Sequence, residues 1–174
     1  MPTSNRHFLV ASLLAALPFA SPAFACDSGA NVIFGCEAAK GKKYIELCAS
    51  NPVTEDGYLQ YRFGALDEDG NDKSVEFEFP AEREGSLKRF FGATYKHQGV
   101  YTQSVRFATP TYSYAVYTKT RGSEDVGAGV EVRNLASGKT TTVACSERPR
   151  FYIDDLKDVL ACDPETPAGK ACIR

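Results

Sequence analysis

VYTQSVRFATPTYSYAVYTKTRGSEDVGAGVEVR, residues 100–133, decides the fold. Two runs rich in β-formers, 100–108 and 112–120, flank a Thr109-Pro110-Thr111 turn. A polar, Gly-containing loop over 121–127 then leads to a third run, 129–133. The stretch holds Tyr101, Tyr112, Tyr114 and Tyr117, four of the nine tyrosines. Side chains alternate across a strand. In the second run Tyr112, Tyr114, Val116 and Thr118 therefore share one face, and Ser113, Ala115, Tyr117 and Lys119 the other. In the first run Tyr101, Gln103, Val105 and Phe107 oppose Thr102, Ser104 and Arg106. Cross-strand aromatic pairs brace sheets, so one duty of these tyrosines is packing. A Tyr-rich face with Ser, Thr, Arg and Lys around it also suits a protein-binding surface. The candidate contact residues are Tyr112, Tyr114, Tyr117, Lys119 and Arg121, running into the acidic Ser123-Glu124-Asp125.

The same grammar extends outward. Residues 75–79, Val-Glu-Phe-Glu-Phe, alternate cleanly before Pro80, as expected of an antiparallel strand with one wet face. Leu59, Tyr61 and Phe63 alternate with Gln60 and Arg62. Further strands are expected over 42–48, 90–96 and 140–145, with turns at 51–57, 67–72, 97–99 and 137–138. Residues 26–35 read as an N-terminal loop and 81–87 as a charged loop. About eight strands with short connections predict an all-β meander, closed as a sandwich or a small barrel. At the C-terminus Ile153, Leu156 and Leu160 recur at helical spacing opposite Asp154, Asp155 and Asp158, which predicts one short helix over 151–161.

Residues 1–25 carry the marks of a cleaved secretory signal. Arg6 and His7 precede an apolar run over 8–20, and Ala23-Phe24-Ala25 offers a cleavage site before Cys26. The expected mature chain is one domain, residues 26–174, with no later membrane-spanning run. Cleavage removes Arg6 and no acid, so the 20 basic residues fall by one against 22 acids, a net −3. That balance disfavours nucleic acid and anionic lipid as partners. Cys26, Cys36, Cys48, Cys145, Cys162 and Cys172 are all in the mature part, an even count that predicts three disulfides. Spacing suggests a Cys162–Cys172 clip and a Cys36–Cys48 bridge across the Lys-Gly-Lys turn, leaving Cys26 with Cys145. Lipidation of Cys26 would need Leu where Ala23 stands and would leave an odd cysteine count. The lack of an N-x-Ser/Thr acceptor favours a bacterial periplasm.

Catalytic constellations are weak. The expected mature chain has one histidine, His97, in a turn, and no Ser in a nucleophile elbow, so no triad suggests itself. One histidine and bonded sulfurs make a poor zinc set. Asp67, Asp69, Asn71 and Glu78 mimic four positions of a calcium loop, but Asp72 stands where glycine is required. Glu76 and Glu78 lie about 6–7 Å apart along one strand face, the pattern of any solvated strand. No cofactor or metal is expected. Elimination leaves a non-catalytic exported binding protein, with inhibition of an extracytoplasmic hydrolase as one form of it. The alternatives are a carboxylate-dependent hydrolase or carbohydrate-active enzyme, and a small-ligand carrier with a barrel cavity.

Overall fold

A computed structural model describes residues 26–166, 169 and 171–173. The secretory-signal reading of residues 1–25 lies outside them. The described residues form eleven strands: β1 (Asn31–Ala38), β2 (Lys43–Ala49), β3 (Leu59–Leu66), β4 (Asp72–Phe79), β5 (Phe90–His97), β6 (Val100–Ala108), β7 (Tyr112–Arg121), β8 (Glu124–Asn134), β9 (Thr140–Ala144), β10 (Arg150–Phe151) and β11 (Ala161–Cys162). They build two sheets, ordered β10-β1-β2-β3-β4 and β11-β5-β6-β7-β8-β9. Each sheet is a meander extended at one edge by a two-residue strand from the tail. The result is sandwich-like with no closed barrel, which settles the choice left by the sequence. Among the described residues no helix is long and apolar enough to cross a membrane.

The turns follow local chemistry. Gln98 and Gly99 both take positive φ, 47° and 80°, the pair that a tight hairpin with matching twist requires. Asp67 Oδ1 accepts from the Asp69 and Asn71 amides at 2.9 and 2.8 Å, and these bonds hold its carboxyl below the usual carboxylate range. The loop expected over 121–127 is tighter than its composition suggests. Only Gly122 and Ser123 turn, and Glu124 and Asp125 already pair with Arg121 and Thr120 in β8.

Three other expectations are corrected. Residues 31–34 are strand, because a bulge between Val32 and Phe34 hides the alternation and buries both Ile33 and Phe34. The 151–161 helix is absent. Phe151 pairs with Phe34 and Ala161 with Phe91, so sheet edges claim both ends of the segment. A single 3-10 turn, Ile153–Leu156, is enough to bury its two apolar side chains. Two disulfides differ from the spacing argument. The bridges are Cys26–Cys48, Cys36–Cys145 and Cys162–Cys172. The β1–β2 register sets Cys36 opposite Ile45 and Cys48 opposite Val32. Cys36 therefore looks into the core while Cys48 faces outward, and neither can reach the other.

Two sheets can hide their apolar faces only against each other. Ile45, Leu47, Tyr61, Val105 and Val116 meet there, nearly sealed from water. At the centre is Phe107. Its ring stacks on Phe79 at 4.6 Å and on Tyr114 at 4.7 Å, and meets Tyr61 at 5.1 Å and Phe90 at 5.3 Å. Phe107→Ala should lower stability by about 3–5 kcal/mol, through lost burial and the cavity left behind. Urea unfolding of the oxidised protein measures it, and a loss under ~1 kcal/mol would mean the rings do not bear on this residue.

Candidate functional site

The outward face of the second sheet is unlike an ordinary solvated face. Thr102, Ser104, Arg106, Ser113 and Tyr117 point away from the core, yet each is at most 8% exposed. The cover is the tail. β11 runs parallel to β5 along Phe91 and Gly92, and the Thr94 amide donates to the Cys172 carbonyl at 3.1 Å. Arg106 Nε then donates to Asp163 Oδ1 at 2.8 Å, and its guanidinium lies 4.8 Å from the Phe91 ring. Glu165 continues the cover, 3.5 Å from Arg106 and 2.9 Å from Arg133.

Beside this strap lies a groove of about 200 Å³ with a polar floor. Lys119 Nζ crosses it to Glu131 Oε1 at 2.7 Å and sits 4.2 Å from the Tyr117 ring. There is room for that reach because Gly129 and Gly127 stand opposite Tyr117 and Lys119 on β8. Burial opposes the charge on Lys119, but the Glu131 carboxylate outweighs it and raises the ammonium above its usual range. Burial likewise raises the Tyr95 and Tyr117 hydroxyls. The cations of the groove are thus paired, while Ser104 and Ser113 make no side-chain hydrogen bond among the described residues. Such a surface offers alternating donors and acceptors on a stiff frame.

The five candidate contact residues do not form one patch. Tyr117 and Lys119 line the groove. Tyr114 turns inward and joins the Phe107 stack. Tyr112 is exposed at the start of β7, and Arg121 is exposed at its far end. His97 is exposed at its hairpin, remote in register from Tyr117.

Two further hollows escaped the sequence reading. One, of about 210 Å³, lies against the outward face of the first sheet and is lined by Glu37, Tyr44, Asp72, Glu147, Arg148 and Arg150. The Tyr44 ring lies over Gly64, where a Cβ would come within 2.5 Å of it, and its hydroxyl faces the Ser74 carbonyl at 3.5 Å. Asp72 Oδ1 is buried without a hydrogen-bond partner among the described residues, and desolvation raises its carboxyl above the usual range. The other hollow, of about 510 Å³, opens between the sheets beside β7 and β8. The marker for it is a change along the inward rows. Val105, Val116 and Val130 form one row, and Gln103, Thr118 and Ala128 form the next. As for metals, Cys26, Glu46 and Cys48 lie together, but the two sulfurs are bonded to each other and cannot ligate.

Desolvation raises the Tyr44 hydroxyl from 10.0 to about 12. Between those values the folded chain keeps a proton that the unfolded chain releases. Stability therefore falls as pH rises from about 10 to about 12, by about 2–3 kcal/mol for this residue. Tyr44→Phe should flatten that part of the stability–pH curve. An unchanged alkaline limb in denaturant titrations would show that Tyr44 is solvated.

No family model, no curated protein and no solved structure matches this chain, so the arrangement of its own side chains is what speaks to function.

Proposed function

We propose that the protein is a non-catalytic binding protein working outside the cytoplasm, and that it holds another protein through the groove beside Tyr117 and Lys119. The observation that carries this reading is the floor of that groove. Polar side chains buried on the outward face of a sheet are costly unless they are satisfied. Here a strap and three ion pairs satisfy the charges, and two serine hydroxyls are left facing the hollow. A partner side chain that seats there displaces water and completes those bonds. Hot spots of this kind combine a well-packed aromatic, a desolvated cation and a water-excluding rim. The three disulfides are compatible with an oxidising, extracytoplasmic location, in keeping with the signal read in residues 1–25. Inhibition of a hydrolase is the form of binding that the same groove would serve if the captured partner is an enzyme.

The test is capture from an extracytoplasmic extract on immobilised, oxidised protein, with Tyr117→Phe and Lys119→Ala alongside. Both variants should weaken retention of the partner by about tenfold or more while near-ultraviolet circular dichroism is unchanged. A partner retained equally by all three would move the contact surface elsewhere. A captured hydrolase that loses activity on binding would identify the inhibitor form.

A second reading rests on Asp72. A carboxyl with a raised pKa in a hollow with Glu37 and Glu147 is the arrangement expected of a general acid in a carboxylate-dependent hydrolase. It requires turnover of a glycoside or ester substrate that Asp72→Asn abolishes. Activity equal in wild type and variant, or none in either, would remove it.

A further inference from the structure

The hollow between the sheets has a character of its own. Along the inward face of the second sheet the wall turns from apolar to hydrogen-bonding within one residue pair. Gln103 stands opposite Thr118, and Tyr101 stands opposite Thr120. Gln103 is held in place, since its Nε2 donates to Asp154 Oδ1 at 3.2 Å, and its Oε1 is left free to accept. The Thr118 and Thr120 hydroxyls make no hydrogen bond among the described residues. Each can donate and accept. Successive inward positions on a strand are about 6–7 Å apart, and facing positions across a pair about 5 Å. The wall therefore presents a small grid of directed polar groups.

The remaining surfaces narrow the ligand. Phe151 and Val126 supply apolar surface to the hollow, and Tyr101 is 40% exposed beyond Thr120. At the mouth Arg148 pairs with Asp125 at 3.1 Å, and Glu147 adds a further carboxylate. The mouth has more negative than positive charge, which disfavours an anion. The hydroxyl row disfavours a fatty chain, whose burial would strand those groups. β9 bonds β8 only over Gly129–Arg133, so the β8 edge open to an extended peptide at the hollow is no longer than Glu124–Gly127. What fits is a neutral, hydroxyl-rich molecule with an apolar face. The volume of about 510 Å³ lies within the usual range for a small-molecule site.

We propose that this hollow is a second binding site, for a neutral saccharide, with Gln103, Thr118 and Thr120 reading hydroxyls and Tyr101 and Phe151 packing on the ring faces. It shares strand β7 with the groove but uses the opposite side of it, so it stands or falls separately from the protein-binding reading. The probe is a set of neutral disaccharides, namely maltose, cellobiose and N,N′-diacetylchitobiose, titrated into 15N-labelled, oxidised protein. A blocked dipeptide and octanoate serve as competitors of other chemistry. At least one disaccharide should shift the amides of Thr118, Thr120, Gly127 and Ala128 in a saturable way. Thr118→Val with Thr120→Val, which keeps shape and removes the hydroxyls, should weaken that binding by about tenfold or more. If the double variant does not fold, Ala128→Leu, which fills the hollow, should have the same effect. The proposal is overturned if none of the three disaccharides shifts these amides. It is also overturned if the dipeptide or octanoate does so at lower concentration, or if the folded variant binds as wild type. None of these results touches the capture experiment, which reads the other face of the sheet.

Discussion

Everything in this molecule depends on one stack of rings. Phe107 brings Phe79 of one sheet and Tyr114 of its own into parallel contact, with Tyr61 and Phe90 closing round it. A sandwich of short strands has little apolar area per strand, and large rings are an efficient way to fill the space between two twisted sheets. Once the stack fixes the spacing of the sheets, the inward rows on either side of it must follow. Valines continue the core in one direction. A short step further, the rows become hydroxyl and amide, and the sheets part. The hollow between the sheets is thus a consequence of where the rings and valines stop.

The outward faces obey a different rule. Neither has another sheet upon it, so each is organised by charge. On the first sheet Arg62 joins Glu78 at 2.8 Å and Asp27 at 3.4 Å, while Arg83 bonds Asp27 and lies 4.4 Å from the Tyr58 ring. Exposed pairs of this sort contribute little singly. The Arg106–Asp163 pair differs, being almost fully buried, and removing either partner would leave an uncompensated charge. It is this pair that turns the tail from a loose end into a wall of the groove.

Much of this was legible in the residues. The alternation of Phe77 and Phe79 gave a strand, although a register shift beside them leaves Val75 half exposed, and Gln98-Gly99 gave a hairpin. The two faces of 112–120 alternate as read, but Tyr114 of the contact set belongs to the core. What the pattern could not carry was anything set by a bulge or by a partner distant in the chain. Ile33 and Phe34 are adjacent and both buried, which no simple period allows. Cys36 and Cys145 meet because β9 ends beside β1, a contact across 109 positions that spacing cannot encode. The tail has helical spacing at Ile153 and Leu156, yet hydrogen bonds to two sheet edges prevail over a short helix that would lack its own support. In the candidate site, Tyr117 and Lys119 were visible as the polar side of a strand. Asp163 and Asp72 were not, since their importance comes from burial that only the assembled chain creates.

The tail visits both sheets in turn, lending β10 to the first and β11 to the second within about a dozen residues. This arrangement has a temporal side. A chain that emerges N-terminus first can pair β1 to β4, and later β5 to β9, as each hairpin arrives. It cannot close the edge of either sheet, bury Ile153 and Leu156, or neutralise Arg106 until its last segment is free. Closure of both sheets therefore waits on residues 150–163, although each meander can pair without them.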